Sequence, residues 1–310
     1  MGARTHARGE GRPLTVADGD ARLARRIDRG GAFSEEAGFF GPGPQRLFGV
    51  LHRPTGPALG RVVICPSIYA GFITGYRVEV SLARALASRG VAVQRFHYRG
   101  TGHSDGEAEE TTFPTMREDA LAAAERLLER TGVGGLAFIG TRFGGLVAAS
   151  AASEHPRCPL VLFGPTREAR PFFQDAWRAM LIRDVKEGAG RRAPGQGLAE
   201  TLEREGKVDV LGDGIYRPLF ESAVDRTLVG ELGDGARPVL VVQLGRASSL
   251  RGDIEAAAAA LRGLGCAVDV ELVAEDVAGW FMAEIKHGER HPLVEVTRAW
   301  LEGEFGAAPA

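Results

Sequence analysis

A sharp turn between a strand and a helix constrains this chain more than any other feature of its sequence. Residues 140–144 (Gly-Thr-Arg-Phe-Gly) follow an apolar run and open an Ala-rich segment. Glycine stands at both ends because a turn this tight leaves no room for side chains there. Arg142, between them, is then pushed out of the sheet into a pocket. A guanidinium is protonated at any ordinary pH, so Arg142 cannot attack a carbonyl group as a nucleophile.

The length and the charge of the chain limit its class and its partners. Its 310 residues can bury one large core of helices and strands with an inserted lid. The hydrophobic content of 44% is ordinary for a soluble globular protein. A net charge of −2 supplies no field that would attract nucleic acid or a membrane surface. We expect a small-molecule substrate and neither of those partners, and the sequence leaves a homo-oligomer open.

Residue usage indicates where the protein works. The basic residues are nearly all Arg, with three Lys, which is typical of a high-GC bacterial genome. The three cysteines are widely spaced and form no C-x-x-C pair, which predicts buried, reduced thiols. No apolar stretch reaches the length of a membrane span, and the first residues lack the apolar segment of a secretory signal. We expect a cytoplasmic protein.

Strands alternate with helices along most of the chain. The predicted strands are 61–65, 91–96, 136–139, 159–163, 239–244 and 268–273. The predicted helices between and after them are 78–87, 116–130 (capped by Thr115), 143–154, 253–264 and 292–304. Such alternation predicts right-handed crossovers and a mainly parallel sheet flanked by helices, the α/β class.

The alternation also predicts the domain boundaries. Residues 1–31 lack an apolar period and are expected to be a flexible leader. Residues 32–165 and 236–305 carry the α/β core, which opens with a hairpin around Gly41. Residues 166–235 break the pattern, with helical periods at 172–184 and 198–205, and are expected to form a helical lid over the carboxyl edge of the sheet.

Two turns carry a resemblance to a known fold family. The strand–turn–helix around Arg142 resembles the G-x-S-x-G elbow of α/β-hydrolases. Residues 95–106 (Arg-Phe-His-Tyr-Arg-Gly-Thr-Gly-His-Ser-Asp-Gly) look like the D-x-R-G-x-G-x-S turn of the same fold, with His97 in place of Asp. Residues 160–165 and 208–212 are similar to strings in one group of this fold.

The resemblance covers residues from about Phe39 to Glu304 and implies an α/β-hydrolase fold with an inserted helical lid. It is strongest to the serine-aminopeptidase-like branch. Within that branch, the chain is most similar to hydrolase-like proteins associated with exosortase systems, whose elbow also carries Arg at its apex.

The resemblance implies three catalytic positions, and none is filled here. The nucleophile corresponds to Arg142. The acid should follow strand 239–244, but no carboxylate occurs there before Asp253. The catalytic His should follow the last strand, where Gly279 or Trp280 stands. Three coordinated losses argue against Ser–His–acid acyl transfer.

Backbone donors are the part of the machinery that this sequence can retain. The N–H of Phe143, at the start of a helix, and the N–H of Ile68, in the loop after strand 61–65, are the expected pair. Two such donors stabilise an oxyanion or enolate without a covalent step. Arg142 would add a positive charge, and Tyr69 or Ser67 would relay a proton.

Aromatic and charged residues near the predicted strand ends and in the lid are candidate substrate-binding groups. These residues are Trp177, Tyr216, Arg246, Asp276, Trp280 and Phe281. Arginines at strand ends suit an anionic or electron-rich oxygenated ligand, and the aromatic residues suit a large apolar or aromatic body. The alternatives are ion pairing of the arginines with nearby acids and packing of the aromatic residues between lid and core.

Three functions stay open at this point. The first is a cofactor-independent, non-hydrolytic enzyme of bacterial secondary metabolism that forms bonds, eliminates or isomerises. The second is an esterase or thioesterase with a displaced nucleophile, Ser67 or Cys65. The third is a non-catalytic binding or scaffold protein. The spacing of His and acidic residues predicts no metal site, and we expect no cofactor.

Overall fold

A computed structural model of the chain describes residues 25–41, 44–132, 134–187, 197–210, 212–274 and 291–306. Within these ranges, one large sheet contains nine strands: β1 Arg25–Arg29, β2 Phe33–Phe40, β3 Leu47–Pro54, β4 Gly60–Cys65, β5 Val91–Phe96, β6 Leu136–Thr141, β7 Leu160–Phe163, β10 Pro238–Gly245 and β11 Ala267–Ala274. A separate hairpin joins β8 Lys207–Val210 to β9 Asp213–Tyr216.

The helices described in the same ranges surround the sheet or leave it between β7 and β10. They are α1 Ala70–Ser88, α2 Phe113–Thr131, α3 Gly144–Ala152, α4 Ala169–Glu187, α5 Leu198–Glu205, α6 Arg217–Ala223, α7 Leu228–Leu232, α8 Gly252–Gly263 and α9 Pro292–Gly306. A short 3₁₀ turn covers Ala108–Glu110.

The order of strands in the large sheet is β1-β2-β3-β5-β4-β6-β7-β10-β11. The pairs from β1 to β5 are antiparallel, and every pair from β5 to β11 is parallel. The carboxyl ends of β4, β5, β6, β7 and β10 therefore meet at one edge. In open α/β sheets this edge is where ligands bind, so the predicted site residues at these strand ends are brought to one place.

The core has two layers because successive side chains of each central strand point to opposite faces of the sheet. Val63 and Phe138 belong to the layer under α2 and α3, whereas Val62 and Ile139 belong to the layer under α1 and α9. Every residue of β4, β5 and β6 is buried, which explains their near-continuous apolar sequences.

Helix α2 begins earlier than the sequence predicts. The cap is Thr112 rather than Thr115, and the two threonines form a reciprocal capping box: the Thr112 hydroxyl accepts from the Thr115 N–H at 3.2 Å, and the Thr115 hydroxyl accepts from the Thr112 N–H at 2.9 Å. Pro114 lies in the first turn, where its missing N–H costs nothing. The predicted start at Met116 followed the apolar period, which begins one turn later than the backbone.

Part of the predicted leader is ordered. Residues 25–29 form β1 and pair antiparallel with β2, so the flexible leader (1–31) does not extend to its predicted end. The backbone pairing with β2 orders this segment although its sequence, Arg-Arg-Ile-Asp-Arg, shows little apolar character. The rest of the leader, residues 1–24, lies outside the described residues.

Residues 166–235, here called the insertion, leave the sheet after β7 and return at β10. Two helices were predicted there, and they correspond to α4 and α5. The β8–β9 hairpin, α6 and α7 were not predicted. The function of the insertion as a lid stays a prediction.

Candidate functional site

The turn between β6 and α3 has the tight shape that its glycines predict. A Cβ on Gly140 would lie 2.5 Å from the Gly145 Cα, and a Cβ on Gly144 would lie 2.3 Å from the carbonyl oxygens of Cys65 and Pro66. No side chain fits either position. The helix thus starts directly against the end of β6 and under the loop that follows β4.

Arg142 forms the apex of this turn with a left-handed backbone, φ 50°. The Arg142 N–H donates to the Phe163 carbonyl at 2.9 Å, and the Arg142 carbonyl accepts from Gly145 at 3.0 Å and Thr166 at 3.2 Å. A non-glycine residue in this region costs about 1–2 kcal/mol. The neighbouring backbone bonds hold Arg142 there despite that cost.

The Arg142 side chain lines a cavity of about 420 Å³, here called the arginine cavity. Among the described residues, no side chain forms a hydrogen bond or an ion pair with its guanidinium. Although Arg142 is exposed, partial desolvation lowers the pKa of its guanidinium; repulsion from Arg251 lowers it further, and Asp175 opposes the change. The ordinary pKa of an arginine side chain is so high that Arg142 keeps its charge despite this decrease.

The other charged groups that line the arginine cavity have partners. Arg251 pairs with Asp253 through two contacts of 3.0 and 2.8 Å. Arg167 contacts Glu168 at 2.5 Å. Asp175 contacts Arg178, one turn along α4, at 2.9 Å. Arg142 is therefore the guanidinium that could accept an anion there without breaking an ion pair among the residues described.

The two backbone N–H groups predicted as donors come from the segments that meet at Gly144, and their role stays a prediction. The Phe143 N–H begins α3, and the Ile68 N–H belongs to the loop that passes over Gly144. Neither N–H has an acceptor among the residues that the structure describes. Buried N–H groups are normally paired, so these two donors are available to an external acceptor.

Ser67, Tyr69 and Tyr216 line a second cavity, of about 400 Å³, here called the tyrosine cavity. Its walls are mainly apolar and include Ile68 and Met116. The Tyr69 hydroxyl is buried and has no hydrogen-bond partner in the described part of the chain. Burial raises the pKa of Tyr69, and so do nearby Asp213 and Tyr216, so the phenol stays protonated.

Aromatic rings stand between the two cavities. Tyr69 stacks on Phe172 of α4, with ring centroids 6.3 Å apart, and Phe172 lies 5.1 Å from Phe143. Phe172 lines the arginine cavity and Tyr69 lines the tyrosine cavity. The insertion thus rests on the β6–α3 turn through these rings.

The two cavities approach each other at Gly71 in the first turn of α1. The position of a Cβ on Gly71 lies 2.5 Å from the Ser67 hydroxyl oxygen and 3.5 Å from Cδ of Arg142. Groups from both cavities therefore lie next to one point of the backbone. A side chain at Gly71 would lie too close to the Ser67 hydroxyl.

The two substitute nucleophiles lack the surroundings that activation requires. Cys65 is fully buried, and burial with nearby Glu79 raises the pKa of its thiol. The Ser67 hydroxyl is buried and makes only a long contact, 3.5 Å, with the Ile68 carbonyl. No hydrogen bond joins either group to an imidazole within the described residues. Activation of a serine or cysteine needs such a base.

The remaining predicted substrate-binding residues do not gather at the two cavities. Trp177 is buried in the core and lines neither of them. Arg246 is exposed after β10 and also lines neither cavity, whereas Arg251 does. Asp276, Trp280 and Phe281 lie outside the described residues.

Two residues of the site were missed from the sequence. Arg251 enters the arginine cavity because the Gln243 side chain holds the loop before it. The backbone N–H of Arg251 donates to the side-chain oxygen of Gln243 at 2.7 Å, and the side-chain NH₂ of Gln243 donates to the Ser249 carbonyl at 3.0 Å. These bonds fold the loop back over the end of β10. Asp213 enters the tyrosine cavity from the β8–β9 hairpin. No local signal placed either residue, because both depend on loop and hairpin geometry.

Comparison with known proteins defines the fold. The Hydrolase_4 family model, described as serine aminopeptidase S33, matches residues 60–201. The structure of Est1E from Butyrivibrio proteoclasticus superposes with a TM-score of 0.61 at 15% identity, covering 88% of this chain and 99% of Est1E. Mouse alpha/beta hydrolase domain-containing protein 10 gives 0.55 at 16% identity, with 86% and 99% covered. The chain has the α/β-hydrolase fold.

Curated relatives match over a shorter segment. Palmitoyl-protein thioesterase ABHD10, mitochondrial, of Bos taurus is 35% identical over 99 residues, which is 30% of this chain, and the human protein is 34% identical over the same length. The matched segment spans 31% of the length of these relatives. Their activity is therefore no more than a proposal for this chain.

No group of three or more His, Cys, Asp or Glu side chains in the described residues is arranged to hold a metal ion. Among the helices that the structure describes, none combines the length and the apolar character needed to cross a bilayer.

Proposed function

We propose that this chain is a cofactor-independent enzyme that holds an oxygenated, anionic substrate at the β6–α3 turn without forming an acyl-enzyme. One observation carries the proposal: the Arg142 guanidinium lines a cavity and has no partner among the described residues. Arg binds carboxylates through paired N–H donors in a fixed geometry. A carboxylate on the substrate would supply the missing partner.

The groups around Arg142 support stabilisation of an oxyanion. The N–H groups of Phe143 and Ile68 have no acceptor among the residues described, and the first of them lies at the positive end of α3. Preorganised donors of this kind lower the barrier wherever negative charge develops on a carbonyl oxygen. The chemistry that suits them is isomerisation, elimination or bond formation through an enolate.

The two cavities indicate the shape of the substrate. Volumes of about 420 and 400 Å³ on either side of Tyr69 and Phe172 are each in the range of small-molecule sites. One cavity offers an unpaired cation, and the other offers mainly apolar walls. We propose a substrate with a carboxylate at one end and an apolar or aromatic body at the other.

Hydrolysis is the competing proposal, since the curated relatives are named thioesterases. It requires an activated nucleophile, and Arg142 cannot supply one. The raised pKa of Cys65 and the isolation of Ser67 from any described imidazole weigh against these two substitutes.

A titration with two matched ligands tests the role of Arg142. The probes are 4-benzoylbutyrate and its methyl ester, which lacks the negative charge and carries one additional methyl group. Wild type should bind the acid about 10- to 100-fold more tightly than the ester, the effect of one or two charge-assisted hydrogen bonds. Arg142→Ala should remove this preference, and Arg142→Lys should keep part of it.

Arg157→Ala is the matched control for this titration. Arg157 is also exposed and also has a left-handed backbone, φ 57°, but it lies in the turn that precedes β7, at the opposite end of the sheet. This variant should keep the wild-type preference for the acid. An unchanged preference in Arg142→Ala, measured by calorimetry, would overturn the proposal.

Covalent labelling separates the proposal from hydrolysis. Incubation with a fluorophosphonate followed by intact-mass measurement should show no adduct, and p-nitrophenyl esters should not be turned over. An adduct on Ser67 or at another position would favour the hydrolase instead.

We further propose a biological role for this chemistry. The resemblance to fold relatives with altered nucleophiles supports a role in bacterial secondary metabolism. Location of the gene within a biosynthetic cluster would support this role. Location within an exopolysaccharide cluster would contradict it.

A further inference from the structure

The phenol of Tyr69 is placed as a hydrogen-bond donor for a ligand in the tyrosine cavity. Its hydroxyl is buried, lines the cavity and has no partner among the described residues. Its ring is fixed by stacking on Phe172, and its backbone is held at φ 56°. A positive φ at a non-glycine residue is a strained conformation. The surrounding loop holds Tyr69 in that conformation and so fixes the direction of its side chain.

Asp213 faces the same cavity from the other side. It is the first residue of β9, it is half-buried, and no described side chain forms an ion pair with it. Burial raises the pKa of its carboxyl, and the neighbouring Asp209 raises it further, whereas the Ala70 N–H lowers it. The carboxylate and the Tyr69 phenol are close enough for Asp213 to raise the pKa of Tyr69.

Asp213 has no ion-pair partner and the Tyr69 phenol has no hydrogen-bond partner among the described residues. Both line one cavity with mainly apolar walls. We propose that Asp213 is the general base of this protein, which takes a proton from the carbon next to a substrate carbonyl whose oxygen Tyr69 binds. The proposal rests on the proposed function, because Arg142 would hold the carboxylate of the same substrate.

The proton transfer is balanced without a further reactant. The Asp213 carboxylate removes the proton, and the electron pair of the C–H bond becomes the C=C bond of an enolate. The negative charge moves to the carbonyl oxygen, where the Tyr69 O–H and the Ile68 N–H donate to it. The proton held by Asp213 then exchanges with solvent, and delivery of a solvent-derived proton to the same carbon gives isotope exchange. Delivery to a conjugated neighbour gives isomerisation.

Groups of the two cavities lie close together at Gly71. Ser67, which lines the tyrosine cavity, and the Arg142 side chain both lie within 3.5 Å of the Cβ position of Gly71. The proposal therefore requires a substrate whose carboxylate at Arg142 is separated from its ketone by a few methylene groups. The probe 4-benzoylbutyrate has this form.

Deuterium exchange into 4-benzoylbutyrate measures the step directly. In D₂O the wild-type protein should catalyse loss of the proton NMR signal of the methylene group next to the ketone. Asp213→Asn keeps the shape of the side chain and removes the base, so the catalysed rate should fall about 10²- to 10⁴-fold. Tyr69→Phe should lower the rate less, since the Ile68 N–H remains.

Asp209→Asn is the matched control on the same hairpin. Asp209 does not line the cavity, and its oxygen accepts from the Gly212 N–H at 3.1 Å, a bond that Asn can keep. Exchange should continue in this variant. Because Asp209 raises the pKa of Asp213, its neutralisation should move the acid limb of the pH–rate profile to lower pH. Tyr69 and Tyr216, the other titratable groups that face Asp213, are unchanged.

Failure of this proposal can be told from failure of the proposed function. Exchange by Asp213→Asn within twofold of wild type would overturn the role of Asp213, and so would a wild-type protein that binds the probe without exchanging it. The acid-over-ester preference reports on Arg142 independently. If that preference persists and depends on Arg142, the proposed binding stands even when Asp213 is not the base.

Discussion

Two turns at the carboxyl edge of the sheet carry residues that differ from the motifs they resemble, and the surroundings of these residues differ. His97 follows β5 at a position where the similar motif has Asp, and Arg142 follows β6 at a position where the similar elbow has Ser. His97 is buried, whereas Arg142 is exposed to a cavity.

Neighbouring residues form a hydrogen bond with His97 and pack around its ring. Its Nδ1 accepts from the His103 N–H at 3.1 Å, and its ring lies 5.3 Å from Phe72 and 5.6 Å from Phe48. A Cβ on Gly102 would lie 2.2 Å from that Nδ1, so the turn is built closely around the ring. His97 thus has a structural role, in which it binds the backbone of the same turn.

The described residues provide no comparable hydrogen bond to the Arg142 side chain. Its backbone is strained, and its guanidinium has no hydrogen bond or ion pair within them. A substitution that only maintained the fold would resemble His97. An unpaired cation at a strained apex is the observation on which the proposed binding of an anionic ligand rests.

The largest expected effect concerns the shape of the second turn. Gly144→Ala should lower the free energy of unfolding by about 3 kcal/mol or more, because the new methyl group would lie 2.3 Å from two backbone oxygens that cannot move aside. Gly303→Ala is the control: no atom lies within 4 Å of its Cβ position in α9, and it should stabilise the chain by up to about 1 kcal/mol. Urea titration of both variants decides this, and a Gly144→Ala protein as stable as wild type would contradict the described turn.

The next effect concerns the first turn and pH. Burial, Arg95 and His103 lower the pKa of His97 from 6.5 to about 4. The unfolded chain therefore binds the proton more readily, and stability is lost as pH falls from about 6.5 toward 4. Protonation of His97 over this pH range should lower the free energy of unfolding by about 2 kcal/mol, after allowance for solvent screening.

His97→Asn should remove this acid-dependent loss of stability, while the side-chain oxygen of the new Asn still accepts from the His103 N–H. The buried His52, whose pKa is lowered to about 3, keeps part of the acid sensitivity in the variant. Unfolding curves at pH 7 and pH 4.5 measure the difference. Equal acid sensitivity of variant and wild type would show that His97 is not buried as described.

The smallest effect concerns strain at the apex. Arg142→Gly should stabilise the protein by about 0.5–1 kcal/mol, since relief of the left-handed backbone exceeds the entropy that Gly adds to the unfolded chain. Arg157→Gly should give a similar gain, because its φ of 57° is nearly the same. The two variants then differ in ligand binding alone. A loss of stability in Arg142→Gly would mean that the guanidinium is engaged in the fold.

Local patterns predicted the fold well. Buried strands such as β4 and the glycines at 140 and 144 have signals within a few residues, and the α/β-hydrolase fold that they indicate is confirmed. The Arg142 turn was predicted for the same reason. The burial of Cys65 followed from its apolar neighbours.

Non-local contacts limited the prediction of the site. The strands β8 and β9 have only four residues each, and Asp213 reaches its cavity through their pairing. Arg251 replaces Arg246 in the arginine cavity because side-chain bonds from Gln243 fold the loop back. Phe172 and Tyr69 separate the cavities only once the insertion lies on the sheet. No spacing along the sequence shows these arrangements.

The most direct test of the central claim is a crystal structure of the protein with 4-benzoylbutyrate bound. We expect a carboxylate oxygen of the probe within about 3 Å of a guanidinium nitrogen of Arg142, the usual length of a charge-assisted hydrogen bond. The ketone should lie toward Tyr69. A guanidinium ion-paired with a carboxylate of the protein itself, with the probe bound elsewhere, would contradict the account.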